Sequence, residues 1–316
     1  MARKIIIDCD PGHDDAVALF LAFAASDELE LLGVTAVGGN VPLELTQRNV
    51  RQMCDIAGRS DVPVHAGCAK PMLRPLMTAE MIHGETGING IDVVDPNTPL
   101  QSEHAVDFII RTLLEADDDS ITLVPTGPLT NIATALEKEP AILPKIEQIV
   151  LMGGAMREGG NRTPSAEFNI LVDPDAADIV LRCGRPITQL GLDVTHQVLS
   201  TRDRVERIRA LGNPVADATA GMLSFFDRYD TEKYASKGAP LHDPCTIAWL
   251  LRPDLFEGKD CNISIETKSE LTLGHTAVDF WHVTDRPVNA HWLYAVDADG
   301  FYDLLVGMLA RFGGTT

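Results

Sequence analysis

The sequence predicts an α/β fold in which a mostly parallel β-sheet is covered by helices on both faces. Apolar runs of strand composition alternate with stretches of helical pattern along the first half of the chain, as in successive β-α-β units. The first apolar run, Ile5 to Ile7, has no polar interruption, which is typical of a strand buried on both faces. No linker, low-complexity tract or internal repeat divides the chain, so we expect one domain over residues 1–316.

The elements of the first half follow from these patterns in order. Strands are predicted at residues 3–9, 29–37, 62–67, 120–127, 146–154 and 185–194, and helices at 14–25, 42–58, 105–116, 128–138 and 173–184. Pro42 lies near the start of the second helix and Gly58 just past its end, the positions that these residues favour. The loop from Gly67 to Pro99 is long and weakly patterned, and such loops are often functional.

The second half has a different character. Helices are predicted at 201–212, 213–238, 241–256 and 300–312, and strands with period-two alternation at 262–267, 275–281 and 289–296. Within the segment 241–256 the helix starts after the pair His242–Asp243.

Composition limits the class of partner. Hydrophobic residues make up 45% and charged residues 23% of the chain, as in ordinary globular proteins. The net charge of −20 argues against nucleic acid and against an anionic membrane, because both are bound by clustered Lys and Arg. The six cysteines are scattered without a C-x-x-C pair, which indicates a reduced, cytoplasmic protein without a zinc site. No apolar run approaches the length of a membrane span.

Polar or glycine residues follow several predicted strands at their carboxyl ends. These residues are Asp10, Asn40, Thr126, Gly153 and Asp193. Open α/β sheets bind ligands outside the carboxyl ends of their strands, so we expect these positions to form one rim of a site.

The densest chemical signal is the acid cluster after the first strand. Asp8, Asp10, Asp14 and Asp15 surround a Pro-Gly turn, and so much negative charge requires compensation. A hard divalent cation held by carboxylate oxygens provides it. The alternative is capping of the following helix, which explains one or two of the acids but not all four.

Other segments carry weaker signals, and each has a structural alternative. Asp243 in "HDP" is either a ligand or a helix N-cap. Glu167 and Asn169 flank Phe168, and in an extended segment they would point the same way; an ordinary loop is the alternative. His83 lies in the glycine-rich stretch "HGETGING" as an acid, a binding group or a turn residue.

Two further positions cannot be decided from the residues alone. Met152, before Gly153 and Gly154, is more typical of a core residue. The carbonyl of Val124, at the end of a predicted strand, is a possible metal ligand, although every residue has a carbonyl.

Taken together, these motifs resemble the nucleoside hydrolase family, and the bacterial pyrimidine-specific members in particular. The most specific mark is "DCDPGHDDA", with the family pattern D-x-D-P-G-x-D-D. It is followed in the family's order by "VGGN", "HGETG", "VPTGPLTN", "LMGGA", "GNRTPSAEFNI", "DPDAA" and "HDP". The resemblance implies a mixed, mostly parallel central sheet flanked by helices, with a bound Ca²⁺ at the carboxyl ends of the strands.

The resemblance also implies a role for each matching residue. Asp10, Asp15, Asp243 and the Val124 carbonyl would hold the Ca²⁺. Asp14, Asn40, Asn169 and Asp243 would bind the 2′- and 3′-hydroxyls, Asn161 and Glu167 the 5′-hydroxyl, and Phe168 would lie near the ring oxygen. Met152, within "LMGGA", joins the substrate-binding candidates, and His83, His242 and Tyr234 would surround the base.

The chemistry implied by the resemblance is hydrolysis of the N-glycosidic bond of ribonucleosides, most simply uridine and cytidine, to free base and ribose. Asp10 would act as general base on a Ca²⁺-bound water, with inversion at the anomeric carbon. His242 would be the acid for the leaving base, with His83 and Tyr234 as possible partners. Asp230, where some relatives carry Gln, bears on base preference and leaves a purine or broad specificity as an alternative.

Members of the family are usually dimers or tetramers, so a homo-oligomer is expected. Two different interpretations remain open at this point. One is a phosphatase of the haloacid dehalogenase type, with Asp8 as nucleophile and Mg²⁺ as the ion. That pattern needs Thr or Val where this chain has Gly12. The other is a nucleoside-binding protein without turnover.

Overall fold

The computed structural model describes residues 2–234 and 237–313, and it includes the side chains of these residues except 227–234. The strands are β1 (Arg3–Cys9), β2 (Leu29–Ala36), β3 (Val64–Ala66), β4 (Leu100–Gln101), β5 (Ile121–Pro125), β6 (Ile146–Met152), β7 (Ile187–Leu190), β8 (Leu199–Thr201), β9 (Gly238–Pro240), β10 (Phe256–Cys261), β11 (Ile263–Ile265), β12 (Thr276–Val278) and β13 (Ala290–Val296).

The α-helices are α1 (His13–Ala24), α2 (Leu43–Ala57), α3 (Glu80–His83), α4 (Ala105–Leu114), α5 (Thr130–Lys138), α6 (Phe168–Val172), α7 (Pro174–Leu181), α8 (Leu192–Thr195), α9 (Arg202–Arg209), α10 (Pro214–Tyr234), α11 (Pro244–Leu251) and α12 (Ala298–Leu309). Short 3₁₀ segments cover Pro140–Lys145, Pro253–Leu255 and Ala310–Gly313.

The main sheet has nine strands in the order β10-β13-β7-β6-β5-β1-β2-β3-β4. Neighbouring strands run parallel except β10 and β13, which pair antiparallel. The prediction of a mixed, mostly parallel sheet flanked by helices is therefore confirmed.

Helices cover both faces of this sheet, and β1 shows why. Its side chains alternate, so that Ile5 and Ile7 join one hydrophobic cluster and Ile6 joins another. The first cluster includes α1, all of whose side chains are buried, and α1 packs against α2, α10, α11 and α12. The second cluster includes residues of α4, α5 and α7. A strand in the middle of such a sheet has no polar face, as the uninterrupted apolar run predicted.

The strand order reverses around β1, and this reversal positions the site. From β1 the chain proceeds to β2 and β3 on one side, whereas β5, β6 and β7 build the other side. The crevice at such a reversal opens at the carboxyl ends of the strands. Asp8 of β1 pairs with Pro125 of β5, so Asp10 and Thr126 both emerge at that crevice.

The end signals of α2 were predicted correctly. Pro42 is its N-cap residue, and Gly58 follows its last turn in the left-handed conformation with φ +66°. The absence of a Cβ makes that conformation inexpensive for glycine.

The structure differs from the sequence prediction mainly in short or exposed elements. The strand predicted at 185–194 ends at Leu190 and continues as the short helix α8. Strand β10 was not predicted, because this edge strand carries Glu257, Lys259 and Asp260 on a partly solvated surface. The segments at 262–267 and 275–281 pair only with each other, as β11 and β12.

The state of the cysteines and the length of the helices bear on the compositional expectations. All six cysteines are free thiols. Among the described residues, no helix has the length and apolar character needed to cross a membrane.

Candidate active site

Two of the predicted metal ligands, Asp15 and Asp243, meet the predicted diol-binding acid Asp14 at the carboxyl end of the sheet. Asp14 and Asp15 stand in the first turn of α1, and Asp243 directly precedes α11. Their carboxylate oxygens lie within 4.8 Å of one another, and all three side chains are buried. The structure thus joins acids from opposite halves of the chain into one group that could hold a metal ion.

Asp15 both caps α1 and faces this cluster. Its Oδ2 accepts a hydrogen bond from the Gly12 backbone N–H at 3.0 Å and from Asn40 Nδ2 at 3.3 Å. Its Oδ1 accepts from Thr126 Oγ1 at 2.8 Å. Helix capping is therefore real for Asp15, but it does not explain why Asp10, Asp14 and Asp243 are buried beside it.

Asp10 is fully buried at the end of β1 and is only half satisfied. Its Oδ2 accepts from the Asn40 backbone N–H at 2.6 Å, whereas its Oδ1 has no hydrogen-bond partner. A side-chain Cβ at Gly39 or at Gly127 would overlap the Asp10 carboxylate. The absence of a side chain at these two glycines makes room for the Asp10 carboxylate. A buried polar atom without a partner is costly, so the unpaired Oδ1 indicates that a ligand binds there.

The electrostatics of the cluster call for a cation. Burial raises the pKa of Asp14 to about 7, and repulsion from Asp15 adds to that effect. Burial likewise raises the pKa of Asp15, and raises those of Asp10 and Asp243 well above their usual values, with neighbouring carboxylates contributing for the latter two. No described Lys or Arg forms an ion pair with any of the four. A donor set of carboxylate oxygens alone fits a hard divalent cation.

Above the acids lies a pocket that contains most of the predicted substrate-binding residues. Its predicted members are Asp14, Asn40, His83, Met152, Asn161, Glu167, Phe168, Asn169, His242 and Asp243. The pocket also contains Ala79, Ile82, Thr126, Arg162 and Phe226. Asp10 and Asp15 are buried beneath the pocket and do not line it. Tyr234 is the last residue of α10, and its side chain lies outside the described residues.

Thr126, rather than Val124, is the residue of its segment that reaches the pocket. Val124 is fully buried within β5, whereas Thr126 follows the strand, lines the pocket and donates to Asp15. The Thr126 carbonyl accepts from Asn169 Nδ2 at 2.7 Å. The metal-ligand role of the Val124 carbonyl stays a prediction.

The segment around Phe168 is not extended, and this corrects the sequence expectation. Glu167 is the N-cap of α6 and accepts from the backbone N–H groups of Asn169 and Ile170. The chain therefore bends after Glu167, and Phe168 lines the pocket together with its two neighbours. Asn161 Oδ1 accepts from the Phe168 backbone N–H at 3.0 Å, which anchors the start of the helix.

Two histidines, His83 and His242, line the other side of the pocket. His83 ends the short helix α3 within the long loop, and Phe226 of α10 lies 5.4 Å from its ring centroid. Burial lowers the pKa of His83 well below its usual value, and lowers that of His242 to about 3. His242 Nδ1 lies 2.8 Å from Thr195 Oγ1. Burial therefore disfavours the charged form of both rings.

The residues that sequence reasoning missed are mainly those without a distinctive chemistry. Ala79, Ile82 and Phe226 resemble any core residue in the sequence, and only the packing of α3 and α10 brings them to the pocket. Arg162 had a usable signal, because it adjoins Asn161 in the motif "GNRTPSAEFNI". Asp193, by contrast, caps the backbone of Met156 and Arg157 and does not line the pocket.

The arrangement combines two chemically different walls. One wall offers carboxylates and amides able to chelate a diol and a cation, and the other offers imidazole and aromatic groups able to hold a heterocyclic base.

Comparison with known proteins identifies this architecture. The model of the "inosine-uridine preferring nucleoside hydrolase" family matches residues 5–303. The pyrimidine-specific ribonucleoside hydrolase RihA of Shewanella sp. (strain ANA-3) is 51% identical over 316 residues, covering 100% of this chain and 98% of that protein.

Two solved structures superpose closely. One is the plant nucleoside hydrolase PpNRh1, with a TM-score of 0.92 and 31% identity. It covers 98% of this chain and 99% of its own. The other is the purine-preferring ribonucleoside hydrolase from Gardnerella vaginalis, with a TM-score of 0.91 and 35% identity, again covering 98% and 99% of the two chains. This chain therefore belongs to the inosine-uridine preferring nucleoside hydrolase family.

Proposed function

We propose that this ribonucleoside hydrolase acts on uridine and cytidine and uses Ca²⁺ held by Asp10, Asp15 and Asp243. The observation that carries the proposal is the buried acid cluster, with its partnerless Asp10 Oδ1, at the floor of a pocket with two histidines in its walls. The pyrimidine preference is supported by the relative named pyrimidine-specific, which is more similar over the full length than the purine-preferring one.

The floor of the pocket is suited to the ribose. Asp14, Asn40, Asn169 and Asp243 bind the 2′- and 3′-hydroxyls, and Asn161 and Glu167 bind the 5′-hydroxyl. Each of these residues lines the same pocket. Phe168, between Glu167 and Asn169 in the sequence, packs near the ring oxygen of the ribose. Met152 completes the lining of the pocket on the ribose side. Holding the sugar by both ends aligns its anomeric carbon with the acid cluster.

The backbone carbonyl of Val124 completes the protein's share of the cation shell, and Thr126, two residues further on, contacts Asp15. When bound, Ca²⁺ supplies positive charge that offsets the carboxylates and polarises the oxygens that coordinate it. About six to eight oxygen ligands suit this ion, so the site has room for the ribose diol.

Asp10 is the general base in this proposal. Its Oδ2 is held by the Asn40 backbone N–H, while Oδ1 is free to accept a proton from an attacking water. Attack from the side of the acids, opposite the base, inverts the anomeric carbon. The surrounding carboxylates stabilise the positive charge that develops on the ribose as the glycosidic bond breaks.

His242 supports departure of the base. Burial disfavours the charged form of its ring before reaction. Negative charge that grows on the leaving base favours uptake of a solvent proton by the ring, and the imidazolium then gives that proton to the base and returns to the neutral form. Thr195 Oγ1 fixes the ring through Nδ1. His83 and Tyr234 are its proposed partners on the base side.

The test is to incubate the pure protein with uridine, cytidine, inosine and adenosine and to measure reducing sugar with and without Ca²⁺. Faster release from uridine and cytidine supports the proposal, whereas faster release from inosine or adenosine replaces it with purine or broad specificity. 2′-Deoxyuridine, which lacks one diol oxygen, serves as the matched poor substrate. A nucleoside-binding protein without turnover would release no sugar, and family membership leaves no support for the phosphatase alternative.

We also propose that residues 1–316 form one domain, since the main sheet takes strands from Arg3 to Val296.

A homodimer or homotetramer in the cytoplasm, acting in nucleoside salvage, is proposed from the family resemblance. The free thiols support a reducing compartment. Light scattering coupled to size exclusion measures the assembly directly.

A further inference from the structure

Asn49 of α2 joins two segments that contribute to opposite sides of the pocket. Its side chain is fully buried, and its Nδ2 donates to the Pro11 carbonyl at 3.0 Å and to the Thr86 carbonyl at 2.8 Å. Pro11 belongs to the opening turn (residues 10–12), which precedes α1. Thr86 belongs to the glycine-rich segment (residues 84–90), which directly follows α3. One amide group therefore ties the two segments together.

The orientation of this amide is determined by its neighbours. Both carbonyl oxygens can only accept hydrogen bonds, so the atom of Asn49 that faces them is the nitrogen with its two N–H groups. On its other side, Asn49 Oδ1 accepts from Arg48 Nη2 at 3.2 Å. The side chain thus uses both of its donors and its acceptor, and a carboxylate at this position would lack the two donors.

Glycines allow the two segments to approach each other closely. Gly87 has φ +85°, and a Cβ on it would overlap Asn49 Nδ2 and lie 3.0 Å from the Pro11 carbonyl oxygen. A Cβ on Gly12 would overlap the His83 ring. The opening turn and the loop therefore meet at two points, one through Asn49 and one directly at the His83 ring.

The glycine-rich segment transmits the restraint from Asn49 to His83. The Gly87 backbone N–H donates to the Gly84 carbonyl at 3.2 Å, and the Gly84 backbone N–H donates to the Glu80 carbonyl at 2.8 Å. His83 is the last residue of α3 and lines the pocket. A fixed Thr86 carbonyl therefore also restrains the helix end that carries the His83 ring.

We propose that Asn49 is a positioning residue that holds His83, on the base side of the pocket, at a fixed distance from the acid cluster on the ribose side. The part that concerns a bound nucleoside rests on the proposed function. Helix α3 has only four residues, and a helix of that length needs tertiary contacts to form. With Asn49 in place the base side is ordered before the nucleoside binds, so binding does not have to supply that free energy.

A second amide on the same face of α2 provides a matched control. Gln52 is buried, donates from Nε2 to the Asp92 carbonyl at 2.7 Å and accepts from the Val94 backbone N–H at 3.3 Å. It therefore holds a later part of the same loop, and neither Asp92 nor Val94 lines the pocket. Asn49→Asp and Gln52→Glu make the same chemical change, the loss of an amide that donates to loop carbonyls.

The direct measurement is hydrogen exchange, followed by mass spectrometry, on the folded proteins in Ca²⁺. We expect Asn49→Asp to accelerate exchange in residues 80–90, because even a protonated carboxyl donates to only one of the two carbonyls. Gln52→Glu should accelerate exchange in residues 91–99 and leave residues 80–90 near wild type. Asn49→Ser, which keeps one donor and adds no charge, should show the first pattern more weakly, and it decides the case if Asn49→Asp does not fold.

Kinetics with uridine separate positioning from general loosening of the fold. Asn49→Asp should raise KM about tenfold, the value of one hydrogen bond, with a much smaller change in kcat. Gln52→Glu should keep the wild-type KM. Inhibition by D-ribose should be the same in both variants as in the wild type, because ribose has no base to contact His83.

Three results would overturn the proposal. The first is unchanged exchange in residues 80–90 of a folded Asn49 variant. The second is an equal loss of affinity for D-ribose and uridine in Asn49→Asp, and the third is an equal rise of KM in Gln52→Glu, since both indicate a general structural role. The expected exchange pattern without uridine hydrolysis supports the positioning of His83 and counts against the proposed substrate only.

Discussion

Asp15 and Asp243 come from opposite halves of the chain, yet their carboxylate oxygens lie within 4.8 Å of each other. Asp15 stands in the first turn of α1 and Asp243 directly before α11, and these two helices pack together. Burial raises the pKa of both carboxyls, and repulsion from Asp14 and Asp15 raises that of Asp243 further. The fold therefore holds like charges together, and we expect a bound cation to compensate them.

Removing the cation should destabilise the protein. We expect EDTA to lower the melting temperature and Ca²⁺ to restore it, because an ion that binds only the folded state adds about 2.7 kcal/mol at a concentration 100 times its Kd. Differential scanning calorimetry measures the shift. Asp243→Asn should abolish the response to Ca²⁺, whereas Asp260→Asn, at an exposed acid paired with His291, should keep it. A melting temperature insensitive to EDTA in the wild type would contradict the cation site.

The stabilisation by Ca²⁺ should grow as the pH rises from about 5 to 8. Burial raises the pKa of Asp14 to about 7, so the cation-free folded protein keeps protons on the cluster that the unfolded chain has already lost. Such groups make the cation-free protein less stable as the pH rises through this window, and bound Ca²⁺ must displace the same protons.

The measurement is the difference in melting temperature with and without Ca²⁺ at each pH. Taking the difference removes the opposite contribution of His83 and His242, whose lowered pKa values make the folded protein more stable as the pH rises towards about 6.5. A difference that is constant or shrinks with rising pH would show that the acids are ionised without the ion.

Asp10→Asn should separate binding from turnover. The amide cannot accept the proton as a carboxylate does, so we expect kcat for uridine to fall by about 10²- to 10⁴-fold. Uridine binding should remain measurable by calorimetry, since the predicted diol-binding side chains are untouched. In EDTA the variant should be at least as stable as the wild type, because one repelling carboxylate has been removed. Unchanged turnover of uridine by Asp10→Asn would contradict the assignment of Asp10 as the general base.

Gly39→Ala should disrupt the cation site by steric overlap alone. The added methyl group would overlap the Asp10 carboxylate and approach Pro128 Cδ to 2.9 Å, and such overpacking costs about 1–3 kcal/mol. We expect loss of both the Ca²⁺ response and uridine hydrolysis. Gly307→Ala is the control, since nothing lies within 4 Å of its added atom on α12, and it should be neutral or stabilise by about 0.5–1 kcal/mol. Equal behaviour of the two variants would contradict the tight fit around Asp10.

Local patterns predicted the layered architecture well, for reasons visible in single elements. The unbroken apolar run of β1 indicated a strand with two buried faces, and Ile5 and Ile6 indeed enter different hydrophobic clusters. Pro42 and Gly58 marked the ends of α2 because their backbone restrictions are intrinsic to the residues. Strand β10 was not predicted from an apolar run, because an edge strand is partly exposed and needs only one half of its surface to be apolar.

The candidate site was predictable for residues whose side chains carry a distinctive functional group. Asp10, Asp14 and Asp15 were identifiable because four acids around one turn require compensation. Phe226 was not identifiable, because an apolar residue on a helix has the same pattern whether it lines a pocket or fills the core. The bend after Glu167 was also missed, since this residue caps a helix of only five residues, too short to leave a periodic pattern.

The sequence by itself determined the alternation of strands and helices in the first half of the chain, the acids at the first turn and the family to which their motifs point. These depend on backbone preference and side-chain chemistry within a few residues. The resemblance already predicted that Asp243 joins the acids of the first turn, whereas only the tertiary structure decided that Thr126 reaches the pocket and that His13 faces His83. Those contacts join segments far apart in the chain, and they exist because α1 packs at once against α2, α10 and α11, a result of the whole core rather than of any local pattern.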